Sequence, residues 1–323
     1  MTFTLNKIHK AVNWNKEDDN FTQAFWEQNV KQFWLPEEIS VSKDLRVWNE
    51  LSEREKDLYK KVLAGLTLLD TKQGNNGIPS MMSLTDNLQR KAVLSFMGTM
   101  EEIHAKSYSS IFTTLLSNGE IDDLFNWIES EKTLQRKADL ILQQYENTTD
   151  KKSLYLSMVT SVFLESFLFY SGFFYPLFLA GQGKMVASGE IISLILRDES
   201  LHGKYIGLLA QEMYSSFDLE EQEELKNKMY SIFNALMENE MEYTYLIYND
   251  SGLEEEVINF LKYNANRALE NLGFENFYKV DDINPIVLNG LSTETKTHDF
   301  FSTKGNGYQK GVYEELEDED FIV

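Results

Sequence analysis

Hydrophobic residues recur at intervals of three and four along most of the chain, which is the period of an amphipathic α-helix. The segments with this pattern are predicted as helices at 22–34, 52–70, 84–116, 121–145, 153–179, 186–214, 219–248 and 253–272. Clusters that contain glycine predict turns at 74–79 and 180–184, each between two of these helices. The pattern therefore predicts an all-α protein built as a bundle of long helices.

One segment of the pattern is apolar on every side. Residues 153–183 contain a single charged residue, Glu165, and are numerous enough to cross a bilayer. Gly172 and Pro176 interrupt the run and no second run accompanies it, so we interpret it as the central helix of a bundle rather than a membrane span. A buried carboxylate is costly unless it is protonated, paired or bound to a metal, so Glu165 needs a partner.

Charge and cysteine content limit the functional classes. The 323 residues include 52 acidic and 30 basic side chains and carry a net charge of −22, which argues against nucleic acid or an anionic membrane as a partner. The chain has no cysteine, so disulfides and thiolate metal sites are excluded. The first residues lack the apolar core of a signal peptide. These features favour a cytoplasmic protein.

The helical pattern ends near residue 293. The remaining residues have little periodicity and include an acidic run at 314–320, followed by Phe321, Ile322 and Val323. We expect residues 1–292 to form one helical domain and residues 293–323 to form a flexible acidic tail. An acidic tail that ends in apolar residues is also suited to docking on a partner.

Two of the four histidines occur in the same local pattern, Glu-x-x-His, and residues three apart lie on one face of a helix. One such pair is common on helix surfaces, but here each pair follows a carboxylate on the preceding helix across a turn. The six residues of this repeated unit are Asp70, Glu101, His104, Glu165, Glu199 and His202. Four carboxylates and two imidazoles in a bundle core are the ligand set of a di-iron or di-manganese centre.

An aromatic residue stands next to this predicted centre. Tyr108 follows His104 by four residues and lies one turn further along the same face. Phe169, Phe173 and Ile195 are spaced to lie above the centre on the same side. Ordinary core residues have this spacing too. The functional interpretation is a dry pocket around a phenol that loses an electron and a proton.

Four stretches together resemble a known family. The stretches "LTLLDT", "EEIHAKSYSSIF", "SVFLESFLFYSGF" and "LILRDESLHGKYIG" are similar to the small, radical-generating subunit of class Ib ribonucleotide reductase. The resemblance runs from "AVNWN" near the start to the acidic tail. It implies a ferritin-like fold, a homodimer, and a large (alpha) subunit as the partner that reduces ribonucleotides to deoxyribonucleotides.

The resemblance also implies roles for particular residues. The six residues named above match the metal ligands, and Tyr108 matches the tyrosine that carries the stable radical. Trp34 and Asp198 match a hydrogen-bonded chain from a metal-bound histidine towards the surface, and we expect Asp198 to orient His104. Tyr308 matches the tail tyrosine that passes the oxidising equivalent to the large subunit, and the last residues match the segment that binds that subunit.

The cofactor implied by the family is a pair of manganese or iron ions in each chain. Iron loads with oxygen directly, whereas manganese needs a flavodoxin-like activator protein that delivers a reduced oxygen species. The same donors accept both metals, and we favour manganese. Two other functions are compatible with the ligand set: a di-metal oxidase or oxygenase, which would not need Trp34, Tyr308 or the tail, and a ferritin-like metal store, which would not need a radical tyrosine.

Overall fold

The computed structural model describes residues 9–16 and 18–291. Its α-helices are α1 (Thr22–Lys31), α2 (Leu45–Glu50), α3 (Glu53–Lys72), α4 (Ile78–Leu84), α5 (Leu88–Leu115), α6 (Asn118–Ser130), α7 (Lys132–Glu146), α8 (Lys151–Phe163), α9 (Tyr170–Gly181), α10 (Val186–Ser215), α11 (Leu219–Tyr248), α12 (Glu254–Asn271) and α13 (Pro285–Leu291). No strand occurs in these residues, so the all-α prediction is confirmed. The predicted tail, 293–323, and Tyr308 lie outside the described residues, and the domain boundary stays a prediction.

Short polar side chains fix where several helices begin. The hydroxyl of Ser52 accepts a hydrogen bond from the backbone N–H of Glu55, and the Glu55 carboxylate accepts one from the Ser52 N–H at 2.8 Å. This reciprocal arrangement satisfies two backbone donors at the start of α3. Ser117 and Asp218 begin α6 and α11 in the same way. The sequence places these residues just before the helical pattern, so these starts follow from local chemistry.

The predicted turn at 74–79 is wrong. The chain continues from α3 through a π-helical segment, Gln73–Gly77, directly into α4. A π-helical turn absorbs extra residues by widening the hydrogen-bonded ring, so the glycines and asparagines here do not end the helix. The actual break before α5 lies at residues 85–87, where Asn87 caps the new helix.

Two other segments predicted as single helices are divided. Residues 121–145 fall into α6 and α7, with the break at Glu131, whose carboxylate accepts a hydrogen bond from the first turn of α7. Residues 153–179 fall into α8 and α9, joined by a second π-helical segment, Leu164–Leu168. Glu165 lies inside that segment.

The apolar run is a core helix of the bundle. Among the described residues, Lys151–Gly181 is long and apolar enough to cross a membrane, but 94% of its most apolar window is buried inside the protein. It packs against α3, α10, α12 and α13. The interpretation of this segment as the central helix of a bundle is therefore confirmed.

Helices α10 and α12 approach each other closely at Gly207. A Cβ added there would lie 2.3 Å from the backbone oxygen of Asn271, so a side chain would force the two helices apart. We expect Gly207→Ala to lower the free energy of unfolding by about 1–3 kcal/mol, the usual cost of overpacking a core. Chemical denaturation of the metal-free protein measures it. Gly119→Ala is the matched control, because nothing lies within 4 Å of the added Cβ, and equal stability of both variants would contradict the packing argument.

Candidate metal centre

Four segments of the bundle bring the six predicted residues together. Asp70 lies near the end of α3, the second segment is α5, the third is the π-helical segment 164–168, and the fourth is α10. Each of the six has a relative exposure of 0%: Asp70, Glu101, His104, Glu165, Glu199 and His202. The convergence expected from their spacing along the chain is therefore present in the structure.

The His104 imidazole faces three of the carboxylates. Its Nδ1 lies 2.8 Å from Glu199 Oε1, 3.3 Å from Asp70 Oδ1 and 3.9 Å from Glu101 Oε2. One donor atom from each of these four residues falls within 4.8 Å of the others. This group is the first candidate position for a metal ion.

The His202 imidazole defines a second position beside the first. Its Nδ1 lies 2.9 Å from Glu101 Oε1, 3.4 Å from Glu199 Oε2 and 3.7 Å from Glu165 Oε2. Glu101 and Glu199 thus direct one oxygen to each histidine, so both carboxylates belong to both groups. Glu101 and Glu199 could therefore each offer one oxygen to each of two ions, as the carboxylates of di-iron and di-manganese helical bundles do.

The donor atoms lack the partners that buried polar atoms normally have. Both oxygens of Asp70, Glu101 and Glu199 and the Nδ1 atoms of both histidines are buried without a hydrogen-bond partner among the described residues. Four carboxylates and two imidazoles without a thiolate are hard donors, which fit two manganese or two iron ions. Bound cations would satisfy all of these atoms at once.

Burial and charge crowding shift the pKa values of these side chains. Burial raises the pKa of Asp70 to about 6 and, together with the charge of Glu165, raises the pKa of Glu101 to about 8. Burial opposes a charge on His104, yet the surrounding carboxylates, with Glu199 the strongest, raise its pKa well above the usual range. The metal-free centre therefore retains protons near pH 7.

Metal binding is expected to release protons and to become tighter as the pH rises. Glu101 is protonated below a pKa of about 8, and an ion must displace that proton and those on the histidines. For every proton released, affinity increases about tenfold per pH unit between pH 6 and 8. Calorimetric Mn²⁺ titrations in buffers of different ionisation enthalpy count the protons. Binding that is stronger at pH 6 than at pH 8 would contradict this prediction.

The two histidines differ in the contacts of their Nε2 atoms, which face away from the carboxylates of the centre. His104 Nε2 lies 3.2 Å from Asp198 Oδ2, which also accepts a 2.7 Å hydrogen bond from the Trp34 indole N–H. His202 Nε2 has no hydrogen-bond partner among the described residues. The structure thus brings Trp34, Asp198 and His104 into one buried hydrogen-bonded chain.

Sequence reasoning missed two amides next to the centre. The Gln32 side chain donates a 2.8 Å hydrogen bond to Asp198 Oδ1. The Gln73 side chain donates to Glu165 Oε1 at 2.5 Å. Neither glutamine belongs to a recognisable spacing motif, so only the three-dimensional structure identifies them.

Tyr108 is completely buried, and its hydroxyl has no hydrogen-bond partner among the described residues. Burial, followed by the charges of Asp70, Glu199 and Glu101, raises the pKa of Tyr108 well above its usual value. The phenol is therefore neutral at every physiological pH.

The three residues predicted to surround Tyr108 are all buried. Phe169, Phe173 and Ile195 each have a relative exposure of 0%, and the two phenylalanine rings lie 5.8 Å apart. That these side chains line the pocket of Tyr108 stays a prediction.

A small polar cavity lies between the π-helical segment 164–168 and helices α9, α10 and α12. Its volume of about 10 Å³ is that of one water molecule. It is lined by Ser166, Tyr170, Ser200, Lys204, Arg267 and Asn271. Ser166 and Ser200 directly follow Glu165 and Glu199 in the chain.

The fold and this cluster together define a class of protein, the ferritin-like helical bundles that hold two metal ions between carboxylates. The family model "Ribonucleotide reductase, small chain" matches residues 11–285, and the chain belongs to that family.

Similar proteins support the assignment. The "Ribonucleoside-diphosphate reductase subunit beta" of Bacillus subtilis is 55% identical over 98% of this chain and 97% of its own length. The "Ribonucleoside-diphosphate reductase 2 subunit beta" of Escherichia coli is 41% identical over 98% of this chain and 99% of its own length. The crystal structure of Streptococcus sanguinis dimanganese(II)-NrdF is 46% identical, covers 88% of this chain and all of that one, and superposes with a TM-score of 0.85.

Proposed function

We propose that Tyr108 is the radical-bearing residue of this chain and that the six buried donors hold the metal pair beside it. As a member of its family, the protein is the radical-generating small subunit of ribonucleoside-diphosphate reductase and uses two manganese or two iron ions. The observation that carries the proposal is the pair of shared carboxylates, Glu101 and Glu199, each of which directs one oxygen to each histidine.

The proposed ligands divide between the two positions. Asp70 and His104 would hold one ion, Glu165 and His202 would hold the other, and Glu101 and Glu199 would each offer an oxygen to both. When bound, the metal pair supplies the oxidising equivalent. The chain keeps that centre in a fixed, dry environment, because all of its donors are inaccessible to solvent.

The role of Tyr108 follows from its surroundings. Its raised pKa keeps the phenol protonated, so the loss of an electron is accompanied by the loss of the hydroxyl proton, and a neutral radical forms. The surrounding protein shields that radical from solvent, since Tyr108 has no exposed surface. Phe169, Phe173 and Ile195 are proposed to supply the apolar wall.

We propose that the oxidising equivalent leaves the centre through the buried hydrogen-bonded series from His104 to Trp34. Asp198 connects the two rings by accepting from Trp34 and facing His104 Nε2. Tyr308, which lies outside the described residues, would carry the equivalent onward to a cysteine of the large subunit.

Membership of this family gives the protein a large-subunit partner and a homodimeric state. We propose that the acidic tail, 293–323, makes the contact with the large subunit. We further propose that manganese is the cellular metal, that a flavodoxin-like protein activates it, and that the reaction takes place in the cytoplasm.

The proposal is tested by separating radical formation from turnover. A chain that ends before Tyr308 is expected to bind two ions and to form the tyrosyl radical, which electron paramagnetic resonance detects. The same chain is expected to lose ribonucleotide reduction with the large subunit. Full turnover by the shortened chain would refute the role of the tail. A wild-type centre that forms no tyrosyl signal would instead favour an oxidase, an oxygenase or a metal store.

A further inference from the structure

Gln73 makes a contact with the proposed metal ligand Glu165 that the function above does not explain. Gln73 has a relative exposure of 0% and lies at the start of the π-helical segment Gln73–Gly77. Its side-chain nitrogen donates to Glu165 Oε1 at 2.5 Å and to Ser161 Oγ at 2.6 Å. A hydrogen bond to a charged acceptor in a dry interior is among the strong ones.

The orientation of the Gln73 amide is determined by its neighbours. A carboxylate only accepts hydrogen bonds, so the amide nitrogen must face Glu165. The amide oxygen then faces the other way, where the Tyr145 hydroxyl donates to it at 2.7 Å. Tyr145 is buried as well, with a relative exposure of 3%. The three side chains form a series of hydrogen bonds in which Tyr145 donates to Gln73 and Gln73 donates to Glu165.

Gly77 makes room for this arrangement. A Cβ at position 77 would lie 2.3 Å from the Gln73 amide oxygen and 2.8 Å from the Tyr145 ring. Any side chain there would separate Tyr145 from Gln73. The π-helical segment that replaces the predicted turn therefore serves to bring an amide against the centre, in keeping with the frequent use of π-turns at functional sites.

The contact engages one oxygen of Glu165 and not the other. Oε1 is occupied by Gln73, whereas Oε2 has no hydrogen-bond partner among the described residues and lies 3.7 Å from His202 Nδ1. Among the described residues, by contrast, no hydrogen bond reaches either oxygen of Glu101 or Glu199. In that part of the chain, Glu165 is the one carboxylate near His202 that an amide restrains.

We propose that Gln73, oriented by Tyr145, is a positioning residue that restricts Glu165 to single-oxygen binding at the His202 side of the centre. This inference rests on the proposed role of Glu165 as a ligand. Without the amide, the Glu165 carboxylate is free to rotate and to present both oxygens. The restraint therefore sets both the affinity for that ion and the way in which the carboxylate binds it.

Two variants test the restraint, and one serves as control. Gln73→Met keeps the approximate volume and removes the donor, and Tyr145→Phe removes only the hydroxyl that orients the amide. Tyr155→Phe is the matched control, because Tyr155 is equally buried and its hydroxyl has no hydrogen-bond partner among the described residues. Thermal unfolding of each metal-free variant checks that it is folded.

The first measurement is the affinity for Mn²⁺. Electron paramagnetic resonance during the titration measures how much of the metal is bound. Loss of a partner that orients a ligand weakens metal binding about 10–100-fold. We expect such a loss for one of the two ions in Gln73→Met, a smaller loss in Tyr145→Phe and no change in Tyr155→Phe. Weakened binding of both ions to the same extent would contradict a restraint that acts on one side only.

The second measurement is the infrared difference spectrum of manganese binding. The separation of the two carboxylate stretching bands distinguishes one-oxygen from two-oxygen binding. We expect the one-oxygen signature of Glu165, identified by its absence from Glu165→Ala, to be lost in Gln73→Met and retained in Tyr155→Phe. A spectrum of Gln73→Met identical to wild type overturns the inference.

Glu165→Ala also separates this inference from the proposed ligand set. If Glu165→Ala binds two Mn²⁺ ions with wild-type affinity, the assignment of Glu165 as a ligand is wrong. If Glu165→Ala loses one ion while Gln73→Met and Tyr145→Phe bind as wild type does, the ligand set stands and the role of Gln73 is overturned. If Gln73→Met does not fold, the Mn²⁺ affinity and the infrared spectrum of Tyr145→Phe test the role of Gln73 instead.

Discussion

Replacement of Tyr108 by phenylalanine is expected to abolish the radical and turnover while both metal ions remain bound. The ring and its packing are retained, and the hydroxyl that is lost has no hydrogen-bond partner among the described residues. Phenylalanine has no O–H to give up, so a neutral phenoxyl radical does not form. We expect ribonucleotide reduction to fall at least about a thousand-fold, equivalent to about 4 kcal/mol in the activation barrier.

Three measurements on the Tyr108→Phe protein check this result. Metal analysis should find two ions per chain, and the tyrosyl signal in electron paramagnetic resonance should be absent. The free energy of unfolding should stay within about 1 kcal/mol of wild type, because no hydrogen bond is broken. Loss of metal together with the radical would mean that Tyr108 is a structural residue, and retention of a tyrosyl signal would assign the radical to another tyrosine.

Replacement of Trp34 by phenylalanine is expected to abolish turnover while the radical still forms. Trp34 is buried, and its indole N–H donates to Asp198 Oδ2, the same oxygen that lies next to His104 Nε2. The variant keeps every proposed metal ligand and Tyr108, so the radical should form. Turnover with the large subunit should fall at least about a thousand-fold, because the proposed route of the oxidising equivalent is interrupted.

Trp48→Phe is the matched control for this second prediction. Trp48 is also buried, and it packs edge-to-face against Tyr59 rather than against the centre. Its replacement should cost stability without a specific loss of turnover. Radical yield and deoxyribonucleotide production, measured on the same preparations, compare the two variants. An active Trp34→Phe protein would exclude this route, and equal loss of turnover in both variants would point to a general packing defect.

The sequence predicted the helices and the convergence of the six donors for a clear physical reason. A Glu-x-x-His pair lies on one helical face, and each preceding carboxylate lies on the helix before it, so the chain itself sets their relative heights. The six donors converge although the turn predicted at residues 74–79 is wrong. A π-helical segment and the short α4 replace that turn without changing which helix faces meet.

Both π-helical segments escaped prediction because hydrophobic periodicity does not distinguish them from α-helix or from a turn. Glycine and asparagine in "QGNNG" have the composition of a break, and only the packing of Tyr145 and Gln73 around Gly77 makes a helical path favourable. Gln32 and Gln73 were missed for a related reason. Their partners are 166 and 92 residues away in the chain, beyond the reach of any local pattern.

The unequal outer sides of the two histidines have a consequence for the symmetry of the centre. The ligand pattern repeats along the chain almost as if the two halves were equivalent, yet His104 Nε2 faces Asp198 whereas His202 Nε2 faces no hydrogen-bond partner among the described residues. Of two ions held here, only the one beside His104 would adjoin the proposed route through Trp34. Two identical ions would therefore have different surroundings and should give two distinguishable spectroscopic signals.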